Sequence, residues 1–168
     1  MTSPAASKLT IRQVRLSDVV TISAIEQQCF SPSEAGAIEV LRRRAALYPE
    51  GFLVVERDGQ VIGYANSGAT DSDDISAAPL KHLIGHDPDG RNLAIFGLAV
   101  RPDVQGSGVS RNLLEAYIAN ARNLGKTTIL LLCKEQLVAF YERFGFENAG
   151  DSASTHGGFR WKQMRLKL

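Results

Sequence analysis

The chain of 168 residues has a formal net charge of +1 and contains 44% hydrophobic and 22% charged residues. This composition is typical of one globular domain, which we place at 9–168 after a flexible segment over 1–8. Lys and Arg are scattered, which argues against the basic stripe that nucleic-acid binding requires. We predict a cytoplasmic protein, because we find neither a secretory signal pattern nor an apolar run long enough to span a membrane.

The first part of the chain is patterned as one strand followed by two helices. Apolar residues alternate along 9–16, which predicts a strand, and Ser17 is placed to cap a helix over 18–29. A second helix is expected to open at Pro32-Ser33. Its core face would consist of residues at helical spacing, namely Ile38, Leu41, Ala45 and Tyr48. The basic run 42–44 lies within this helix, and we interpret it as a solvated face rather than a phosphate site.

A hairpin and a long polar loop follow these helices. The apolar runs 52–56 and 61–65 flank Asp58-Gly59, and this dipeptide is a strong hairpin signal. Residues 67–92 are rich in Ser, Asp, Gly and Pro, and they predict a loop with one short helix near 77–84. The loop contains an acidic cluster of Asp71, Asp73 and Asp74. Such a cluster could attract a cationic amine, although it is more often a solvated loop.

The C-terminal half alternates strands with helices. The predicted elements are a strand over 93–100, a helix over 109–124 that Gly125 ends, a strand over 127–133, a short helix over 137–144 and a last strand over 159–168. One further strand near Phe146 is left open. The order β-α-α-β-β-β-α-β-α-β predicts an α/β protein with a mixed sheet.

The turn between strand 93–100 and the following helix suits a phosphate group. It consists of 105–110, with the sequence QGSGVS. The first N–H groups of a helix have no internal partner and lie at the positive end of its dipole. Glycines allow the backbone to approach phosphate oxygens closely. We therefore predict an anion site here, although a plain turn with two glycines would have the same sequence.

Three known phosphate-binding patterns compare differently with this turn. A dinucleotide fingerprint needs a third glycine, where this chain has Arg111. A Walker loop ending at 125–127 would need a glycine in place of Asn120 and a strand before it, where a helix is predicted. The acyl-CoA pattern Gln/Arg-x-x-Gly-x-Gly/Ala fits 105–110 at every defined position except the last, Ser110. The third pattern therefore fits best.

Two flanking segments resemble the same family. Residues 98–102 (LAVRP) precede the turn, and 137–146 (LVAFYERFGF) follow the next predicted strand. On these motifs the chain resembles the GNAT N-acetyltransferase superfamily from about residue 9 to residue 166. It is most similar to the arylalkylamine (serotonin) N-acetyltransferase branch and its bacterial relatives, whose tail resembles 152–158 followed by Trp161.

The resemblance implies a fold and a co-substrate. The fold would be α/β (α+β), with a central mixed, mostly antiparallel sheet of about six to seven strands that is splayed at its centre and flanked by about four helices. Acetyl-CoA would be the co-substrate, and no metal is implied. Backbone groups of Leu98, Ala99 and Val100 would bond its pantetheine. Amides of the turn would hold its pyrophosphate, namely those of Gln105, Gly106, Ser107, Gly108, Val109 and Ser110.

Tyr141 is the residue that the resemblance assigns as general acid. A phenol with a pKa of about 10 can protonate a leaving thiolate, whose thiol has a pKa of about 8.5. Packing in the core beside Phe140 and Phe144 is the other explanation for Tyr141. Cys133 could in principle form an acetyl-enzyme, but burial in an apolar strand favours an inert thiol and hence direct transfer.

The general base is not supplied by the resemblance. The arylalkylamine branch has two histidines on the strand before the turn, where this chain has Ala94 and Phe96. The candidates elsewhere are Glu26, His156, His82 and His86. Each of them could instead be a solvated or capping residue, and a backbone carbonyl with ordered water is a further route.

We predict an enzyme that transfers an acetyl group directly to a primary amine, which would be a small and arylalkyl-like molecule. Phe30, Phe96 and Leu132 would form the apolar wall of its acceptor site. The alternatives are a protein or peptide N-acetyltransferase and a non-catalytic acyl-CoA-binding sensor, which the missing histidine pair favours. A homodimer formed through the last strand is a further expectation.

Overall fold

The fold is a seven-stranded sheet with helices on both faces, and the computed structural model describes residues 8–168. The strands in this part of the chain are β1 (Leu9–Gln13), β2 (Leu53–Arg57), β3 (Gln60–Thr70), β4 (Asn92–Val100), β5 (Thr128–Cys133), β6 (Glu147–Asp151) and β7 (Lys162–Lys167). The α-helices here are α1 (Val19–Cys29), α2 (Ile38–Leu47), α3 (Val109–Asn123) and α4 (Val138–Glu142). The strand order is β1-β2-β3-β4-β5-β7-β6, with β4 and β5 parallel and the other neighbours antiparallel. The predicted α/β fold with a mixed, mostly antiparallel sheet is confirmed.

Helices cover both faces of β3, the second strand of the predicted hairpin. On one face α1 and α2 pack against Tyr64, and on the other α3 packs against the core that contains Ala65. Every residue of β3 after Gln60 is buried. Because both faces are covered, the strand lacks the alternation that a half-exposed strand shows. Within residues 8–168, none of the helices is both long and apolar enough to cross a membrane.

The predicted hairpin is present, but its second strand is longer than expected. Asp58 and Gly59 have φ of 51° and 81°, as a two-residue turn with positive φ at both positions requires. β3 then continues to Thr70, so the prediction of a loop from residue 67 is wrong. Small polar residues favoured a loop, but here they pair with β4. A Cβ on Gly68 would lie 2.8 Å from the ring of Phe96, so this pairing leaves no room for a larger side chain.

Several predicted boundaries are also wrong. β1 ends at Gln13 rather than residue 16, and β7 begins at Lys162 rather than residue 159. The short helix predicted near 77–84 is confirmed, as a 3-10 helix over Ala78–His82. α2 begins at Ile38 and not at Pro32, because the carbonyl of Ser31 accepts the N–H groups of residues 34 and 35 in a separate turn. The additional strand near Phe146 is confirmed as β6.

The last strand is not an edge of the sheet. β7 pairs with β5 on one side and β6 on the other, because β6 folds back onto it. Its backbone groups are therefore already used, and the expectation that this strand pairs with a second copy is wrong. In the described part of the chain the edges are β1 and β6.

The basic run on α2 is only partly solvated. Arg42 and Arg43 are exposed, as predicted, but Arg44 is 6% exposed and the prediction is wrong for this residue. Arg44 lies three residues after Leu41 and four before Tyr48, and all three are buried. Residues at this spacing share one helix face, so Arg44 belongs to the face that packs on the sheet.

The sheet splays at its centre, as the resemblance implies. β4 and β5 pair only from Asn92–Thr128 to Ile95–Leu131. β4 continues to Val100 alongside β3, and β5 continues to Cys133 alongside β7. The two strands therefore separate beyond Ile95, and the side of β4 that faces β5 has no strand partner from Phe96 onwards.

The carboxylate of Asp18, directly before α1, accepts hydrogen bonds that stabilise the fold. Asp18, and not the predicted cap Ser17, accepts the N–H of Arg15 at 2.7 Å and the guanidinium of Arg12 at 2.8 and 3.0 Å. Asp18 is buried, and burial alone would raise its pKa, but the bonds from Arg12 and Arg15 outweigh burial and hold the pKa below its ordinary value.

Replacing Asp18 with Ala should therefore lower the free energy of unfolding by about 1.5–3 kcal/mol at pH 7, the usual effect of losing hydrogen bonds to a charged group. Because the folded pKa is lowered, the advantage of Asp18 should be present above about pH 4, the unfolded value, and should disappear as the pH falls through the folded pKa. Urea unfolding at several pH values measures this. Asp103→Ala, at the exposed pair with Arg101, is the control and should leave the free energy of unfolding nearly unchanged. Equal effects of both substitutions would contradict the prediction.

Candidate active site

A cavity of about 530 Å³ opens where β4 and β5 separate. Its wall combines residues of α1, α2, β4, β5, α4, the turn before α2 and the tail before β7. The structure brings nine of the site residues predicted from the sequence to this wall, namely Glu26, Phe30, His82, Phe96, Leu98, Leu132, Cys133, Tyr141 and His156. These residues come from segments far apart in the chain, and the splayed strands are what bring them together.

The glycine-bearing turn lies at the start of α3, beyond the end of β4. Gly106 and Gly108 have φ of 79° and 90°, and a Cβ at either position would meet nothing within 4 Å. The first helical bond runs from the N–H of Asn112 to the carbonyl of Gly108. The N–H groups of residues 109–111 thus precede the first bonded turn and remain available to an anion. The open, exposed turn therefore fits a diphosphate.

The end of β4 is tied to this turn. The carbonyl of Val100 accepts hydrogen bonds from the Cys29 thiol at 3.2 Å and from the Gln105 side-chain amide at 3.2 Å. Gln105 thus holds the turn against the strand, while its backbone N–H donates to the carbonyl of Pro102 at 3.3 Å. Among the backbone groups predicted to bond pantetheine, the Val100 carbonyl is accordingly already engaged.

Tyr141 is both packed and placed at the cavity. Its ring lies against Phe140 and Phe146, with centroids 5.1 and 5.6 Å away, and the residue is 7% exposed. Burial, reinforced by the nearby thiol of Cys133, raises the pKa of Tyr141 above its ordinary value. The phenol therefore keeps its proton at neutral pH. Tyr141 therefore packs in the core and also lines the cavity, so the two explanations given for it above are compatible.

Glu26 faces the cavity from α1. The hydroxyl of Tyr64 donates a hydrogen bond of 2.8 Å to its carboxylate, and Glu26 is 5% exposed. Burial raises the pKa of Glu26, although the bond from Tyr64 and the charge of Arg44 oppose this rise. A carboxylate with a raised pKa is better suited to accept a proton than an ordinary one.

His156 also lines the cavity, and one of its ring nitrogens is hydrogen-bonded within the protein. Its Nε2 is 3.0 Å from the carbonyl of Glu34, which can only accept, so Nε2 carries the proton in this arrangement. Nδ1 is left with its lone pair. The backbone carbonyl of His156 accepts the indole N–H of Trp161 at 2.9 Å. His156 could therefore act as a base through Nδ1 while also fixing the tail.

The remaining candidates separate clearly. His82 lies on the cavity wall, but His86 faces away: its Nδ1 accepts the N–H of Ala69 at 2.9 Å and its ring packs on Tyr48. The expectation that His86 could reach the cleft is wrong, because the extended β3 holds its ring. Burial raises the pKa of the Cys133 thiol to about 11, so it is a poor nucleophile at neutral pH.

The carboxylates of the acidic cluster accept hydrogen bonds from residues at the end of the same loop. Asp71 accepts the N–H of Arg91 at 2.9 Å, and Asp73 accepts the side-chain amide of Asn92 at 3.0 Å. These carboxylates are exposed and organise the chain as it enters β4. This favours the solvated loop over a role in attracting an amine.

Sequence reasoning missed Arg44, which lies on the cavity wall with Lys81. The available signal was the phase of α2. Leu41, Ala45 and Tyr48 had already identified the buried face, and Arg44 falls on it at helical spacing. The run of three arginines obscured this, because such a run usually marks a solvated surface.

Comparisons with known proteins agree with this geometry. Residues 19–146 match the model of the Acetyltransferase (GNAT) family. Serotonin N-acetyltransferase of Mesocricetus auratus is 26% identical over 159 residues, which cover 90% of this chain and 73% of that protein. The loading GNATL domain of CurA from Lyngbya majuscula has a TM-score of 0.85 at 14% identity, covering 95% of this chain and 98% of that one. The structure of yncA from Salmonella typhimurium with its cofactor acetyl-CoA has a TM-score of 0.70 at 23% identity, covering 96% of this chain and 95% of that one.

At these identities the two solved structures show similarity of fold alone. The family model is stronger evidence, because it spans well over half of the chain, from the first residue of α1 to Phe146, just before β6. It includes the splayed strands, the glycine-bearing turn and Tyr141. The chain therefore belongs to the GNAT family of acetyltransferases.

Proposed function

We propose that the protein transfers an acetyl group from acetyl-CoA directly to a primary amine of a small molecule. The main supporting observation is the gap between β4 and β5, which has the open turn 105–110 at one end and the cavity at the other. Similarity to a serotonin N-acetyltransferase supports a small amine as acceptor.

The chain offers complementary groups along the whole length of acetyl-CoA. Free N–H groups at the start of α3 would hold the pyrophosphate, since a helix N-terminus attracts phosphate. Arg101 donates its N–H to the carbonyl of Ile62 in β3, so alternation along the strand turns the backbone groups of Ala99 toward β3 and those of Leu98 toward the gap. The backbone groups of Leu98 would bond a pantetheine amide in place of a strand. The thioester would then lie in the gap beside Tyr141, which lines the cavity from α4.

Residues of this chain would move the protons. Glu26, with His156 as the other candidate, would take a proton from the ammonium and leave a neutral amine. The amine nitrogen forms a bond to the acetyl carbon and the carbon–sulfur bond breaks. Tyr141 would give its proton to the departing sulfur, and the proton that nitrogen loses would return to the phenolate. Cys133 takes no part, because its raised pKa disfavours the thiolate.

Two other functions remain as test outcomes. An N-acetyltransferase for proteins or peptides would use the same chemistry on a larger acceptor. A non-catalytic acyl-CoA sensor is favoured by one observation, that Ala94 and Phe96 stand where the arylalkylamine branch has histidines. A cytoplasmic location and a homodimer stay predictions.

Calorimetry with CoA, combined with thiol release from acetyl-CoA in the presence of an amine panel, tests the proposal. Gly108→Ala should weaken CoA binding about tenfold or more, because Gly108 has φ of 90° and a side chain there disturbs the turn. Gly59→Ala is the matched control, with φ of 81°, an equally open position and a site in a remote hairpin. Gly59→Ala should lower the stability of the protein by a similar amount without changing its affinity for CoA.

The outcomes separate the three functions. CoA binding with thiol release for small amines supports the proposal. Release with peptides alone indicates a protein acetyltransferase, and tight binding without release indicates a sensor. Absence of CoA binding by the unmodified protein would overturn all three.

A further inference from the structure

We propose that Arg44 binds a carboxylate of the substrate, so that the preferred acceptor is an amine that also bears a carboxylate, as an apolar or aromatic α-amino acid does. This inference rests on the proposed function and specifies its substrate class. It depends on the charges in the cavity wall, which the acetyl-transfer chemistry itself does not use.

Arg44 is a buried cation that no carboxylate of residues 8–168 contacts directly. It is 6% exposed, its Nε donates to the carbonyl of Lys81 at 3.0 Å, and its Nη1 donates to Oδ1 of Asn66 at 3.2 Å. Within residues 8–168, Nη2 has no hydrogen-bond acceptor and no carboxylate lies within 4.0 Å of the guanidinium. Arg44 nevertheless lines the cavity. An arginine in this state is expected to have an anionic partner that is not part of the protein.

The guanidinium is held in a fixed plane. Its central carbon lies 4.8 Å from the centroid of the Phe96 ring, and the bonds to Lys81 and Asn66 fix one edge. The rest of the planar fork is free to form paired hydrogen bonds, a geometry that matches a carboxylate. A preoriented fork on the cavity wall is suited to recognise a ligand, because no group within residues 8–168 uses its remaining donors.

A second unsatisfied donor lies beside Arg44. Nδ2 of Asn66 is buried and has no partner in the part of the chain that the structure describes. Oδ1 of Asn66 lies 3.6 Å from the position that a Cβ on Gly97 would occupy, and Gly97 lines the cavity. This buried amide donor adjoins the guanidinium, and two donors in one place favour an anion over a cation as the ligand.

The carboxylates of the cavity do not neutralise Arg44 by contact. Glu34 is paired with Lys134 at 2.9 Å, and Glu26 accepts the hydroxyl of Tyr64. Glu26 and Arg44 are nonetheless close enough that each affects the pKa of the other. A negative and a positive group side by side are complementary to an amino acid, whose ammonium and carboxylate are attached to one carbon atom.

The rest of the cavity indicates what the acceptor carries besides its charges. Besides these charges the cavity lining contains apolar side chains, namely Phe30, Val40, Phe96, Leu132 and Trp161. Such a surface binds an apolar or aromatic side chain by burying it from water. A carboxylate could also come from the acyl group, if the thioester is that of a dicarboxylic acid. The presence of Glu26 beside Arg44 favours the acceptor as its source.

The test compares acceptors that differ only in the carboxylate. With acetyl-CoA, kcat/KM is measured for L-tryptophan against tryptamine and for L-phenylalanine against 2-phenylethylamine. We expect a preference of about 10- to 100-fold for the amino acids, the usual effect of hydrogen bonds to a charged group. Arg44→Met should abolish the preference, so that the ratio of kcat/KM for L-tryptophan to kcat/KM for tryptamine falls to about one. Arg42 is an exposed arginine of the same helix, so Arg42→Met is the control. It should change neither kcat/KM for the amino acids nor kcat/KM for the amines.

Two further arms keep the outcomes distinct. If Arg44→Met does not fold, calorimetry on the unmodified protein compares N-acetyl-L-tryptophan with N-acetyltryptamine, and the carboxylated product should bind at least tenfold more tightly. A second comparison measures turnover of malonyl-CoA and acetyl-CoA by Arg44→Met, with tryptamine as acceptor. If turnover falls for malonyl-CoA but not for acetyl-CoA, the carboxylate belongs to the acyl group. That result supports the anion site but overturns the amino-acid acceptor. Equal turnover of both members of each amine pair, unchanged in Arg44→Met, overturns the inference. Absence of CoA binding and thiol release throughout would instead be a failure of the proposed function.

Discussion

Replacing Tyr141 with Phe should lower kcat for acetyl transfer by about 10²- to 10⁴-fold, the range observed for loss of a general acid. The substitution removes one oxygen and keeps the ring, so its contacts with Phe140 and Phe146 should persist. Burial raises the pKa of Tyr141, so the phenol holds a proton throughout the neutral range. That proton would be missing when the thiolate leaves.

The control is another buried tyrosine that has no access to the cavity. The hydroxyl of Tyr117 donates to the carbonyl of Gly51 at 2.8 Å, and Tyr117→Phe removes an equally buried oxygen. It should reduce stability by about 1 kcal/mol and leave kcat unchanged. CoA affinity, measured separately, should be similar in both variants. A drop in kcat of less than about threefold in Tyr141→Phe would show that the residue serves only to pack the core.

Replacing Glu26 with Gln should reduce kcat/KM by about 10²- to 10⁴-fold if Glu26 is the base. Glutamine keeps the size of the side chain and can still accept the hydrogen bond from Tyr64, so the fold should be preserved. A base must be deprotonated to act, and burial raises the pKa of Glu26. The rate of the unmodified enzyme should therefore fall as the pH drops through this raised pKa, and this limb of the profile should be absent in Glu26→Gln.

His156→Gln distinguishes the second candidate. Its Nε2 is committed to the carbonyl of Glu34, and we expect a fall in kcat/KM of less than about tenfold with the acid limb intact. Measurement of kcat/KM across pH for both variants, with one amine of known pKa, decides between them. If the acid limb persists in Glu26→Gln and is lost in His156→Gln, the histidine is the base.

Local patterns in the sequence were enough for most of the elements. Alternation, helical spacing and the Asp-Gly turn depend on residues close together in the chain, and the corresponding strands and helices are present. The turn 105–110 and the position of Tyr141 followed from short motifs for the same reason. The splayed sheet was implied by resemblance to a family, and the pairing of β4 with β5 confirms it.

The tertiary structure decided what distant segments do to one another. β3 extends to Thr70 because β4 pairs with it, and β7 is internal because β6 folds back onto it. His86 is withdrawn from the cavity by Ala69, whereas Arg44 is placed in it by packing of α2 on the sheet. The sequence by itself thus determined the elements and the family resemblance. Which side chains meet at the cavity depended on pairing and burial between residues far apart in the chain, and no local pattern records these.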